Sequence, residues 1–230
     1  YDGTSSVSTN AASSLANAAN RVRGYYNAVG NDARNHYEEV FVNANVNVSG
    51  AGGDFWGLHR YQATANTTDG GFGLTCGAGV VCGDQVELGA GGCLTVLLQW
   101  NDTWGSSPND YDLLMADETA AQLFIMSANP QTGAGSNPEE SFSITNPYGV
   151  TADFDILIGN YKNLAATKTF DMFVRCTNCA VYPGNAKHNF NTRRSSVSNN
   201  SDAGGGVVSL GAIDQGDPGN NDIETFSSIG

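Results

Sequence analysis

The densest group of carboxylates in this 230-residue chain comprises Asp102, Asp110, Asp112 and Asp117. In Asn109-Asp110-Tyr111-Asp112-Leu113-Leu114, strand alternation puts Asp110 and Asp112 on one face. Several oxygens on a Gly/Asn/Asp loop suit calcium, so these two are the candidate metal ligands. On a solvent-facing strand the same pair is only a charged edge that discourages association, and that plainer reading is the expectation. No EF-hand spacing occurs. No cofactor is required, and calcium is the candidate at these carboxylates.

Five cysteines are present, at 76, 82, 93, 176 and 179, so one thiol is left over. Cys76 and Cys82 bracket the loop Gly77-Ala78-Gly79-Val80-Val81, and Cys176-Thr177-Asn178-Cys179 closes an apolar run. Two local disulfides, Cys76–Cys82 and Cys176–Cys179, with Cys93 free and buried, form the expected scheme. Zinc held by the four paired cysteines is the alternative, although the first pair is spaced widely for a zinc knuckle. A thioredoxin-like role needs a CxxC that opens a helix, whereas this one follows a strand.

The chain has three histidines, His36, His59 and His188. A catalytic histidine needs an orienting carboxylate and a nucleophile. No serine sits in a G-x-S-x-G or GTS context, so the three are read as structural or exposed. Asn31 follows Gly30 and by itself reads as a turn residue. Trp56, Trp104 and Tyr148 could stack on sugars but are expected in the core. Sequons at Asn47, Asn66, Asn101 and Asn200 matter only in a source that glycosylates.

The elements that must position these residues follow from composition and period. Lys+Arg is 10 against Asp+Glu 23, a net charge of −13, which argues against nucleic acid and anionic membranes. No apolar run is long enough to span a bilayer, and no signal peptide is visible. The sequence starts without Met, as if cut from something longer. Charged residues are only 14% while Gly reaches 29, a turn-rich composition that points to secretion into an extracellular setting.

From Val7 to Val22, apolar residues recur at three or four and predict a helix, followed by a short strand at 25–29. Val40, Val42, Ala44, Val46 and Val48 alternate with polar residues and predict one half-buried strand over 39–48. Further strands are expected near 56–65, 84–88, 93–100, 110–116, 122–127, 140–145, 150–159 and 168–175. Turn signals between them predict an antiparallel, jelly-roll-like β-sandwich. The run Val207 to Ile213 reads as a strand buried on both faces. The expected fold is therefore mainly β. An α/β piece covers 1–37, an inserted sandwich 38–182, and a linker with a returning strand 183–230.

The run Val208-Ser209-Leu210-Gly211-Ala212-Ile213, continued by Ile223-Glu224-Thr225-Phe226-Ser227-Ser228-Ile229-Gly230, resembles the "SVGA…I..FSS.G" pattern of subtilisin-like serine proteases. Tyr26-Asn27-Ala28-Val29-Gly30-Asn31-Asp32 resembles their "V..AAGN.G" strand and turn. Between them, Leu97-Leu98-Gln99-Trp100-Asn101-Asp102 and Asn109-Asp110-Tyr111-Asp112-Leu113-Leu114 look like "LQW.D…NDYDL.L" of inserted and pre-peptidase C-terminal sandwiches.

The resemblance implies a segment of a secreted endopeptidase acting on peptide or protein substrates. Asn31 would be its oxyanion donor, and Ala28, Val29 and Gly30 would line the primary specificity pocket. Val29 stands where the family usually has Ala, and Ile229 where Arg, Gln or Tyr is common. The family's Asp and His motifs would lie upstream of position 1 and its Ser motif downstream of position 230, so the chain alone would be inactive. Two readings from other classes compete. One is a self-assembling filament or surface subunit, and the other is a carbohydrate- or substrate-binding module.

Overall fold

The computed structural model describes residues 15, 17–21, 24–61, 66–67, 74–180, 187–197, 207–216, 219 and 222–229. Most of the helix expected over 7–22 lies outside these residues. Ala18–Asn20, inside that span, is a single 3₁₀ turn.

The described chain is mainly β, and its large sheet is antiparallel, consistent with a sandwich. In chain order the first strands are β1 (Tyr25–Ala28), β2 (His36–Val40), β3 (Asn43–Ser49), β4 (Phe55–His59) and β5 (Asn66–Thr67). Next come β6 (Thr75–Gly77), β7 (Val80–Val81), β8 (Asp84–Trp100), β9 (Ser106–Ser107), β10 (Tyr111–Asp117) and β11 (Gln122–Ser127). The last are β12 (Gly133–Ala134), β13 (Glu139–Thr145), β14 (Ala152–Tyr161), β15 (Thr169–Cys179), β16 (Phe190–Asn191) and β17 (Val207–Leu210).

Nine strands form one connected sheet in the order β11-β10-β14-β8-β15-β2, with β13 added to β8 and the β3–β4 hairpin added to β14. The branching follows from β8, which is one strand of 17 residues where two were expected. Its first half pairs with β14 and its second half with both β13 and β15. Gly89-Ala90-Gly91-Gly92 reads as a break in the sequence, and the ladder is irregular there, but β15 pairs with β8 on both sides of it, at Leu88 and from Cys93 onward. Gly91 takes φ +68, which only a residue without Cβ adopts freely.

Alternation along β8 sends Val86, Leu88, Leu94, Val96, Leu98 and Trp100 into the main core. Strands β10 and β14 are buried on both faces. Leu113, Met115, Ile156 and Ile158 face the main core, while Leu114, Ala116 and Leu157 face a smaller one with Trp56, Leu58 and Cys82. At the crossing, Gly159 lies against Leu114 and Trp56, leaving no space for a Cβ.

The single strand expected over 39–48 is two strands, β2 and β3. Phe41, between them, is buried and Val40 is exposed, the reverse of the expected alternation. The Phe41 N–H donates to Lys168 O and the Val42 N–H to His59 Nδ1, which turns the chain out of one register and into another. The run at Val207–Ile213 also departs from expectation. Only four of its residues are strand, and Val208, Leu210 and Ile213 are exposed. Among the described residues it pairs with β1 alone, in parallel.

Candidate oxyanion turn

The parallel pair β1–β17 delivers the chain to the turn at Gly30-Asn31-Asp32. Tyr25 to Ala28 match Val207 to Leu210 in register, and the Val29 N–H extends the ladder to Leu210 O at 3.0 Å. Val29 is buried and Ala28 exposed. Gly30 then takes φ +92, a left-handed angle that ends the strand. Asn31 is exposed, and its side-chain amide has no hydrogen-bond partner among the described residues.

The turn is held from the opposite end of the sequence. Ser228, buried, donates its N–H to Gly30 O at 2.9 Å, and its Oγ accepts the Asp32 N–H at 2.9 Å. Ser227 Oγ accepts the Ala212 N–H at 3.2 Å, and the Glu224 N–H donates to Ala212 O. The three segments that carry the family-like motifs at 26–32, 208–213 and 223–229 are thus hydrogen-bonded into one unit. The large sheet also touches the turn, through Val174 N–H to Asn35 O at 2.7 Å and an exposed Arg175–Asp32 ion pair at 3.4 Å.

The other candidate residues are dispersed. Asp110 and Asp112 are not on a solvent edge, which corrects the plainer reading. Strand β10 lies between β11 and β14, Asp112 is buried, and its Oδ2 accepts from Trp56 Nε1. Burial, with Asp110 and Glu140 nearby, pushes the Asp112 carboxyl up to about 7. Asp110 is also raised by burial, and its Oδ1 accepts the Gln131 N–H. Asp102 binds Lys168 at 2.6 Å and accepts from Trp100, Ser107 and Asn109. Burial would raise its carboxyl, but Lys168, Asn109 and Ser107 hold it below the usual range. Asp117 accepts from Tyr148 OH and the Ala120 N–H. Among the described residues, no group of three or more acidic, histidine or cysteine side chains is placed to hold a metal ion.

Disulfides join Cys76 to Cys82 and Cys176 to Cys179. Cys93 is free and exposed, not buried, because it lies on the outward face of β8 beside Thr145 and Thr177. No helix among the described residues is long and apolar enough to cross a membrane, and the two disulfides are compatible with an extracellular protein.

All three histidines are fully buried. His59 accepts the Val42 N–H on Nδ1 and meets Tyr37 OH at 2.8 Å through Nε2, inside an aromatic cluster with Phe41, Tyr61 and Phe170. Burial pushes it down to about 3, so it stays neutral. His36 bridges Thr192 O and Asp171. His188 pairs with Asp84 at 2.6 Å, both fully buried. Trp56 lies in the smaller core and Tyr148 packs on the main one, so neither offers a free platform.

Sequence reasoning passed over Arg193 and Asp84. The signal available for the first was the Arg193-Arg194 doublet in a chain with only ten basic residues. Arg194 pairs with Glu38 and Glu39, while Arg193 donates to backbone carbonyls at 223–227. Comparison of the chain with protein-family models, with curated proteins and with solved structures returned no match.

Proposed function

We propose that the chain is a segment of a secreted subtilisin-like serine endopeptidase: a jelly-roll-like sandwich inserted between two pieces of an α/β protease domain. The reading rests on the resemblance of the motifs at 26–32, 97–114, 208–213 and 223–230. The observation that carries it is the parallel pairing of β1 with β17, closed by the Ser228 contacts to Gly30 and Asp32. Antiparallel neighbours are joined readily by short loops, whereas parallel strands belong to crossover folds. Parallel sheets are normally covered on both faces. Here Tyr26, Val208, Leu210, Ile213, Ile223 and Phe226 are exposed around the pair, a surface suited to the rest of such a domain.

In this reading Asn31 donates its side-chain amide to the oxyanion of the tetrahedral intermediate, and Ala28, Val29 and Gly30 flank the substrate residue. The amide is unengaged and available to donate, and the backbone groups on both sides of it are anchored by Ser228. The Asp, His and Ser of the triad lie outside these 230 residues. The sandwich is accessory and the isolated chain does not hydrolyse peptides.

The test is Asn31→Ala in the full-length chain. Removing one such donor lowers kcat by ~10²–10³-fold, a magnitude measured in a subtilisin and carried over here. KM should change little, since the oxyanion exists only in the transition state. An unchanged kcat, or a full-length chain without the Asp, His and Ser motifs, overturns the reading.

An assembly subunit is the second reading, favoured by one observation. Edge strand β11 exposes Leu123, Phe124 and Ile125 in succession, without charge or proline, a natural template for another chain.

A further inference from the structure

The turn carrying Asn31 is anchored at both neighbours, Gly30 O and Asp32 N–H, by one residue, Ser228. Ser228 belongs to the segment 223–229, which forms no strand or helix. Ala212 holds part of that segment, through Ser227 Oγ and the Glu224 N–H, and residues 193–196 hold the rest. Arg193 Nη2 donates to Glu224 O at 2.7 Å and, at longer range, to Ile223 O and Ser227 O at 3.5 Å; its Nε reaches Ser227 O at 3.4 Å. Ser196 adds a second clamp, its N–H to Ile229 O at 2.9 Å and the Ile229 N–H to its Oγ at 3.0 Å. The same Ser196 Oγ donates back to Arg193 O at 2.6 Å.

The base of this arm is the large sheet. Thr192, buried, donates its N–H to His36 O at 2.7 Å, and its Oγ accepts the Glu38 N–H. Phe190 reaches the main core, and its N–H donates to the buried Asp84. A continuous chain of contacts therefore runs from the sandwich core through Thr192 and Arg193 to Ser228, and from Ser228 to the residues on either side of Asn31. Among the described residues Arg193 pairs with no carboxylate. Its guanidinium is committed to carbonyls, a task for a planar group with several fixed donors rather than for a point charge.

We propose that Arg193 is a positioning residue for the turn at Gly30-Asn31-Asp32, through which the sandwich sets the placement of the Asn31 amide. The inference rests on the reading of Asn31 as oxyanion donor. Such a donor must sit within a fraction of an ångström of the developing charge, and ~1 Å of misplacement costs ~10²-fold in rate. The sandwich is then a brace for the reaction centre as well as an accessory domain.

The experiment is a double-mutant cycle in the full-length protease, with Arg193→Gln, Asn31→Ala and the pair, reading kcat and KM separately. Arg193→Gln is expected to lower kcat by ~10–100-fold with KM within about twofold. In the Asn31→Ala background the same substitution should lower kcat no further, because the group it positions is gone. Arg193→Lys, which keeps one donor, should be intermediate. If Arg193→Gln melts below the assay temperature, Arg193→Lys carries the cycle with the same criterion. Losses that multiply in the double variant overturn the proposal, as does a full Asn31→Ala loss beside an unchanged Arg193→Gln. An Asn31→Ala variant with unchanged kcat instead overturns the underlying reading.

Discussion

Ser228 and Asp32, 196 residues apart, meet in a hydrogen bond of 2.9 Å between the Ser228 Oγ and the Asp32 N–H. Ser228 is buried and also holds Gly30 O, so a single side chain and its own backbone clasp both sides of Asn31. No local rule of strand or turn formation brings these residues together. The contact requires the parallel register of β1 with β17 and the return of the chain at 223–229.

One thiol should react with a soluble disulfide reagent in the native protein. Cys93 is exposed and the other four cysteines are in disulfides. Thiol titration before and after denaturation checks this, with Cys93→Ser expected to remove the signal. Peptide mapping without reduction should return Cys76–Cys82 and Cys176–Cys179.

The Asp84–His188 pair should be a principal internal lock. Both side chains are fully buried, and Asp84 also accepts the Phe190 N–H. Removing one member leaves the other uncompensated, so Asp84→Ala should cost about 3–5 kcal/mol in urea unfolding. The combined Asp84→Ala/His188→Leu variant should lose less than the two single losses added together.

Stability should depend on pH in two opposing ways. His59 is held near 3 against an ordinary 6.5, so the unfolded chain binds the proton first. Its contribution is present above pH 6.5 and is lost as pH falls toward 3. Asp112 is raised to about 7 from 3.8, so the folded chain binds the proton first, and its burial weighs most above pH 7. Asp112→Asn should therefore raise the urea midpoint more at pH 8 than at pH 5. His59→Gln should flatten the decline between pH 6.5 and 3. Equal effects of Asp112→Asn at both pH values would reject the assignment.

Gly159→Ala tests the packing at the β10–β14 crossing. A Cβ there would lie 2.8 Å from Leu114 Cδ1 and 2.9 Å from Trp56 Cβ. The expected loss is about 1–3 kcal/mol by thermal or urea unfolding. Gly149→Ala, with open space around it, is the control and should be close to neutral.

The β character of this protein is legible in its residues, because alternating apolar positions and frequent Gly and Asn turns are local signals. Strands near 111–117, 122–127, 139–145 and 152–161 follow directly from them. Register and partners are not local, and there tertiary structure decided. Residues 84–100 form one strand across three glycines because β14 pairs with 84–88 while β13 and β15 pair from Cys93 onward, and β15 also reaches back to Leu88 across the irregularity at 89–92. Phe41 turns inward because Lys168 and His59 capture the adjoining N–H groups. Asp112 is buried because a second layer, from β3 and β4, covers the outer side of β10 and β14. Periodicity counts one buried face and cannot show that a strand has two. At the candidate site, the motif residues themselves were readable, Asn31 included. Arg193 was not, since its partners are backbone carbonyls some thirty residues away, and a carbonyl leaves no mark on the sequence.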